Sequence, residues 1–194
     1  MYKDMKPSFE RDFAPFIGPN RLNIGCGANS EPGWVNVDFN PQGPDVIRHD
    51  LRVRPWPFER GTFDTVLASH FLEHFRGDEL FHIVAEAAEV LKVGGHLIGI
   101  VPYATSSAAY ANPFHKQLWD ETTAAQLSRR LYEQEGTAGT GAHQFAPLAD
   151  WTVRLISLTP EEEWRGKTAE EVTEASRRYL NVIAEMQFVL RKES

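Results

Sequence analysis

Residues 21–39 read Arg-Leu-Asn-Ile-Gly-Cys-Gly-Ala-Asn-Ser-Glu-Pro-Gly-Trp-Val-Asn-Val-Asp-Phe. A short apolar run enters a glycine turn at Gly25-Cys26-Gly27. A second apolar run follows and ends on an acid, Asp38. Glycine lets the backbone approach a ligand closely, because no side chain intervenes. An acid at the tip of the neighbouring strand can accept from both hydroxyls of a ribose. The pair therefore indicates a cofactor that contains a nucleoside.

Spacing narrows the choice. A dinucleotide fingerprint continues Gly-x-Gly-x-x-Gly, with its acid about 20 residues further on. Here Ser30 stands at the third glycine position, and Asp38 comes 13 residues after Gly25. Glu31-Pro32-Gly33 reads as a turn, leaving no room for a full helix between the two strands. The chain also lacks the Gly-Lys-Ser/Thr of a phosphate-gripping loop. The site suits a nucleoside without a pyrophosphate.

The 194-residue chain is read as a single domain, residues 1–194, large enough to bury a core. Its net charge of −7 is opposite in sign to a phosphate-backbone binder, so no nucleic-acid partner is expected. One cysteine allows no internal disulfide. No apolar run reaches the roughly 20 residues of a membrane span, and the N-terminus lacks the apolar core of a signal peptide. A cytoplasmic protein without membrane contact is expected.

Strands are expected at Leu22–Gly25, Trp34–Phe39, Asp45–Asp50, Thr62–Ser69 and His96–Val101. Asp78 is positioned to cap a helix to about Leu91, with Leu80, Val84, Ala87 and Leu91 as its apolar stripe. Lys92-Val93-Gly94-Gly95 should stop that helix through a left-handed glycine. Asp120 should cap a helix of about ten residues carrying Ala124, Leu127 and Leu131. Gly136–Gly141 reads as a turn. Thr168-Ala-Glu-Glu171 has the form of a capping box and opens a helix to about Leu180. Trp151–Leu158 and Val182–Leu190 read as a final antiparallel pair. Residues 1–20 form a lead-in, with Phe9, Phe13 and Phe16 at helical spacing, read as packing on the domain rather than as a lid. Alternating strands and helices make an α/β layer fold with a mostly parallel sheet. Ligands in such sheets sit at the C-terminal strand ends, where Gly25, Asp38, Asp50, Ser69 and Val101 all fall.

Five motifs in order complete the pattern: Leu22–Asn29, Pro32–Asp38, His49-Asp50-Leu51, Phe63–His74 and Leu91–Leu97. Over residues 21–102 the chain resembles class I S-adenosylmethionine-dependent methyltransferases. The resemblance implies a three-layer, Rossmann-like sandwich whose seven-stranded, mostly parallel sheet has an antiparallel last strand. It implies S-adenosylmethionine as cofactor, bound by residues 21–102, with residues 103–194 on the acceptor side. Gly25, Cys26 and Gly27 would wrap the methionine part. Asp38 would hold the ribose and Phe39 would pack near the adenine. Asp50 would accept from the adenine amino group, and the Leu51 backbone would meet the ring. Ser69 and His70 would lie beside the sulfonium. Asn23 departs from the acid the family often carries there; it can order the loop or bind through water.

Methyl transfer is an in-line displacement that needs alignment first, and sometimes a base. Candidates on the expected face are His70, His74, Tyr103 and His115. His70 is the first choice, and His74 reads as structural. His115 is either a substrate contact or a surface histidine capping a helix. The acceptor is expected to be a small molecule or saccharide-like compound, with O-methylation favoured over N-methylation. It should meet residues 103–119, 132–150 and 160–180. Trp119, Tyr132, Trp151 and Trp164 lie in or beside these stretches, although large aromatics there are more often core.

Cys26 reads as a small buried side chain rather than a nucleophile. Two rival readings exist. His70-Phe-Leu-Glu-His74 fits the inverted zinc-peptidase pattern, with both histidines on one helical face and Glu73 as base. That reading leaves the glycine turn unexplained and nominates no third ligand, and the methyltransferase reading assigns no metal. The other rival is a cofactor-binding module without catalysis, which Asn23 would suit.

Overall fold

The computed structural model describes residues 11–128 and 149–194. The sequence expectations for Phe9, Leu131, Tyr132 and the Gly136–Gly141 turn lie outside the described residues. Seven strands form one sheet: β1 (Arg21–Ile24), β2 (Val35–Asp38), β3 (Val46–Arg48), β4 (Phe63–Ser69), β5 (Leu91–Pro102), β6 (Trp151–Pro160) and β7 (Ile183–Lys192). Their spatial order is β3-β2-β1-β4-β5-β7-β6. β7 runs antiparallel to both its neighbours, and the pairings from β3 to β5 are parallel. The chain reverses direction across the sheet between β1 and β4. In open sheets of this kind ligands bind beyond the strand ends at such a reversal.

The period of two along each strand sorts the core onto two faces. Leu22, Ile24, Val37, Val66, Ala68, Leu97 and Val101 point to one face. Helix α1 (Asp78–Val90) covers it with Leu80, Ile83, Val84 and Ala87. Leu67, Ile98, Ile100 and Val189 point to the other face, where Phe13, Phe16, Ile17 and Trp34 cover them. The described part of the lead-in, residues 11–20, thus packs on the sheet through Phe13, Phe16 and Ile17.

Three short helices follow: α2 (Ser107–Ala111), α3 (Glu121–Ala125) and α4 (Ala169–Ser176). Asp120 caps α3 by accepting from the Thr123 N–H at 2.7 Å. Thr168 and Glu171 close the expected capping box on α4, which stops at Ser176, short of Leu180.

Two expectations are corrected. Asp78 is the first residue of α1, not its cap. Gly77, at φ +54°, holds the cap position, and Asp78 and Glu79 act on the helix dipole instead. Nor does a left-handed glycine end α1. The chain passes directly from Val90 into β5, and Lys92–Gly95 bulges between the pairings Phe63–Leu91 and Thr65–His96. Gly94 takes its φ of +82° inside that bulge, which Lys92 pins through Asp64 at 2.7 Å.

On the helix-covered face, Phe188 stacks on buried Trp119 at 5.5 Å and 13°. A Cβ at Gly99 would fall 2.1 Å from the Phe188 ring. Gly99→Ala should therefore destabilise the protein by about 1–3 kcal/mol, read as a lower urea midpoint at unchanged slope. A midpoint equal to wild type would mean the ring moves freely.

Candidate active site at the strand tips

The glycine turn is built from polar bonds rather than a helix. Asn36 accepts at Oδ1 from Asn23 Nδ2 (3.0 Å) and the Glu31 N–H (2.9 Å). Its own amide donates to the carbonyls of Glu31 and Trp34, both at 3.0 Å. Asn23 also donates to the Asn29 carbonyl at 3.2 Å. Both asparagines are buried, so Asn23 orders the loop from beneath. Gly25 and Gly27 take φ of +62° and +51°, a region costly for residues with a Cβ.

The two glycines differ. A Cβ at Gly25 would fall 2.0 Å from the Phe71 ring, whereas one at Gly27 would meet nothing within 4 Å. Gly27 therefore faces open space. Its N–H donates to Asp38 Oδ2, and Asn40 N–H donates to Oδ1, both at 2.8 Å. A carboxylate has about four acceptor sites, so Asp38 is aimed and still has capacity. Phe39 beside it is 65% exposed.

Asp50 lies just beyond β3, and Arg52 grips both its oxygens at 2.9 and 2.7 Å. That hydrogen bonding holds its pKa below the usual carboxylate value. Arg52 carries no signal in the expected motif. Leu51 is buried, its carbonyl accepting from the Trp56 indole at 2.9 Å. Cys26 is buried too. Burial first, then the Asp38 charge, pushes its thiol up to about 11, in keeping with an inert side chain.

Ser69 ends β4, and His70 follows at φ +50°, its N–H donating to the Ile100 carbonyl at 2.8 Å. His70 Nε2 lies 2.9 Å from Glu185 of β7, and Nδ1 lies 3.6 Å from Glu73. Burial alone would lower its pKa. The two carboxylates outweigh burial and raise it to about 9, so His70 is an imidazolium at neutral pH.

Leu72–His74 is a single 3-10 turn. The Glu73 carbonyl accepts from the N–H groups of Lys116 (2.8 Å) and Gln117 (3.1 Å). This clamp carries His115 to 3.9 Å from the Glu73 carboxylate. His115 is thus largely enclosed rather than a surface cap. His74 Nδ1 meets the Phe114 carbonyl at 3.3 Å, the backbone contact expected of a structural histidine. The inverted zinc-peptidase pattern is not assembled as a helix: His70 is in the left-handed region and turned toward Glu185. Tyr103 donates to Glu121 at 3.0 Å. Burial, then Glu121, raises its pKa to about 12, so it stays a phenol. Trp119 and Trp151 are fully buried core residues, and Trp164 is partly buried.

Comparison with known proteins fits this geometry. Residues 22–99 match the methyltransferase domain family. A SAM-dependent methyltransferase from Archaeoglobus fulgidus superposes with a TM-score of 0.62 at 21% identity, covering 97% of this chain and 94% of that one. A chain of the Haloferax volcanii complex between the Trm112 methyltransferase activator and a methyltransferase gives 0.60 at 14%, covering 99% and 92%. The [4+2]-cyclase SpnF gives 0.58 at 12%, covering 97% and 80%. No curated protein matches the chain. The family match spans less than half of the chain, and the structural likenesses, all at low identity, establish the fold: the seven-stranded sheet with an antiparallel β7 that the sequence resemblance implies. Among the described residues no helix is long and apolar enough to cross a membrane.

A thiol raised from 9.0 to about 11 carries roughly 100-fold less thiolate near pH 8. Cys26 should therefore react with iodoacetamide at least that much more slowly than free cysteine, and at the ordinary rate in urea. Fast labelling of the folded protein would contradict the burial.

Proposed function

We propose that this chain transfers a methyl group from S-adenosylmethionine to a small-molecule or saccharide-like acceptor, with an oxygen as the favoured nucleophile. The observation that carries the reading is the alignment of three ligand-ready tips on adjacent strands. These are the open Gly27 turn after β1, the aimed Asp38 ending β2, and Asp50 after β3. The residues suit the cofactor: Gly27 has no Cβ-direction neighbour, Asp38 keeps acceptor capacity, and Phe39 presents an exposed aromatic face.

On this reading Gly25, Cys26 and Gly27 pass beside the methionine part, with Asn23 holding the turn in shape. Asp38 accepts from the ribose hydroxyls, and Phe39 covers the adenine. Asp50 accepts from the adenine amino group while Arg52 keeps it ionised, and Leu51 supplies backbone beside the ring. Ser69 and His70 lie toward the reacting end. Residues 21–102 would form the cofactor half and residues 103–194 the acceptor half of one domain.

When bound, the cofactor supplies a methyl carbon already activated by its sulfonium. The chain's task is mainly alignment. His70 carries its proton at neutral pH and turns both ring nitrogens to Glu185 and Glu73, so toward an acceptor it acts as a positive, orienting group rather than as a base. His115 donates Nδ1–H to the Ala109 carbonyl at 3.0 Å, which leaves the Nε2 lone pair toward Glu73. That lone pair is the candidate base for an acceptor hydroxyl.

Calorimetric titration with S-adenosylmethionine and S-adenosylhomocysteine tests the reading. Wild type should bind both. Asp38→Ala should lose at least about tenfold in affinity, as two charge-assisted hydrogen bonds and the Gly27 anchor go. Failure of wild type to bind would overturn the reading. Unchanged affinity in Asp38→Ala would move the ribose contact elsewhere.

A further inference from the structure

Glu73 is only 1% exposed, yet neither carboxylate oxygen has a hydrogen-bond donor. The His70 imidazolium stands 3.6 Å from one of them, an ion pair beyond hydrogen-bond reach that it shares with Glu185. Among the described residues no lysine or arginine pairs with Glu73; Lys116 turns outward to Glu79 at 3.0 Å. Both carboxylate oxygens therefore keep unused acceptor capacity in a buried place.

Two imidazoles converge on the same point. His115 Nδ1 meets the Ala109 carbonyl, and His74 Nδ1 meets the Phe114 carbonyl. A carbonyl can only accept, so each Nδ1 carries the proton and each Nε2 presents a lone pair. Ligating histidines are commonly fixed in this way, the second ring nitrogen donating to a backbone carbonyl. The two rings meet edge to face, 4.9 Å between centroids. One ligand atom from each of Glu73, His74 and His115 can be chosen so that all three lie within 4.8 Å of one another. A site with bonds of 2.0–2.2 Å needs edges of roughly 3.3 Å, which small side-chain rotations supply.

We propose that Glu73, His74 and His115 bind one divalent transition-metal cation of the zinc or cobalt class. Two imidazoles and a carboxylate suit such ions and leave positions open. The site lies beyond the C-terminal ends of β4 and β5, on the side where the acceptor is expected. The open positions would then take oxygen donors of a hydroxyl-bearing acceptor, which is where the proposal rests on the methyl-transfer reading. The same His115 lone pair cannot serve a cation and a proton at once, so this assignment replaces its use as a base. It differs from the inverted peptidase pattern in its third residue: His115 completes the set, and His70 stays outside it with Glu185.

The test is titration of the tag-free full chain with Co²⁺, followed by visible absorption, and with Zn²⁺ by calorimetry. One saturable equivalent is expected, with ligand-field bands of low-symmetry coordination. His115→Ala and Glu73→Gln should each weaken binding at least about tenfold, while Glu79→Gln leaves it unchanged. Glu73 is buried, so circular dichroism and S-adenosylhomocysteine titration accompany every variant. His115→Ala, at a partly open position, tests the site even where Glu73→Gln fails to fold. No saturable binding up to about 1 mM, or full binding in a folded His115→Ala, would overturn the proposal. Because cofactor binding is titrated separately, a metal failure beside intact S-adenosylhomocysteine binding leaves the methyl-transfer reading standing.

Discussion

The buried Asn36 side chain, with four hydrogen bonds to Asn23 and to the backbone of the turn between β1 and β2, is the interaction on which the glycine turn depends. Parallel neighbours ordinarily need a crossover of a dozen residues or more, commonly a helix. Here residues 25–34 make the crossing without one. A helix would satisfy its own backbone and cover the sheet. Without it, Asn36 and Asn23 satisfy the buried carbonyls and N–H groups, and Trp34 helps cover the face. Fully satisfied amide networks of this kind rigidify a loop, because any partial loss leaves a buried polar group unpaired. The glycines then keep positive φ in a turn that cannot relax, and Asp38 is aimed by the very N–H that the turn presents.

The same economy explains why Gly25 and Gly27 look alike in sequence and differ in use. Gly25 is filled from within, by Phe71. Gly27 is left open and supplies an N–H to Asp38. A Gly-x-Gly pattern records that two side chains are absent. It does not record which absence a neighbour fills and which a ligand is free to approach.

Much of the architecture was legible because it rests on local periodicity. Strand alternation, the α1 stripe and the Thr168 capping box are all short-range signals, and the first four of the ordered motifs run to or just past the tips of β1 to β4. The misread points are those where tertiary contact overrides local chemistry. Asp78 has a good capping side chain, but Gly77 takes the cap. Lys92–Gly95 has the composition of a helix stop, but Asp64 draws Lys92 into a bulge and β5 begins at once. Arg52 on Asp50, Phe71 on Gly25 and Glu185 beside His70 were invisible for a related reason. Two of the three join residues brought together by the fold, and the third depends on a turn geometry that composition does not specify.

Those long-range contacts divide the strand tips electrically. At β2 and β3, backbone N–H groups and Arg52 hold the carboxylates of Asp38 and Asp50 by short hydrogen bonds. At β4, β5 and β7, charge is gathered inward. Glu73, Glu185, His70, His74 and His115 stand within a few side chains of one another, and the imidazolium of His70 is held by carboxylates on two different elements. The imidazoles and carboxylates that face one another across elements thus cluster on the β4, β5 and β7 side. Sheet order sets the two groups on opposite sides of the reversal, β1, β2 and β3 on one side and β4, β5 and β7 on the other, and the long-range contacts then give each side its charge.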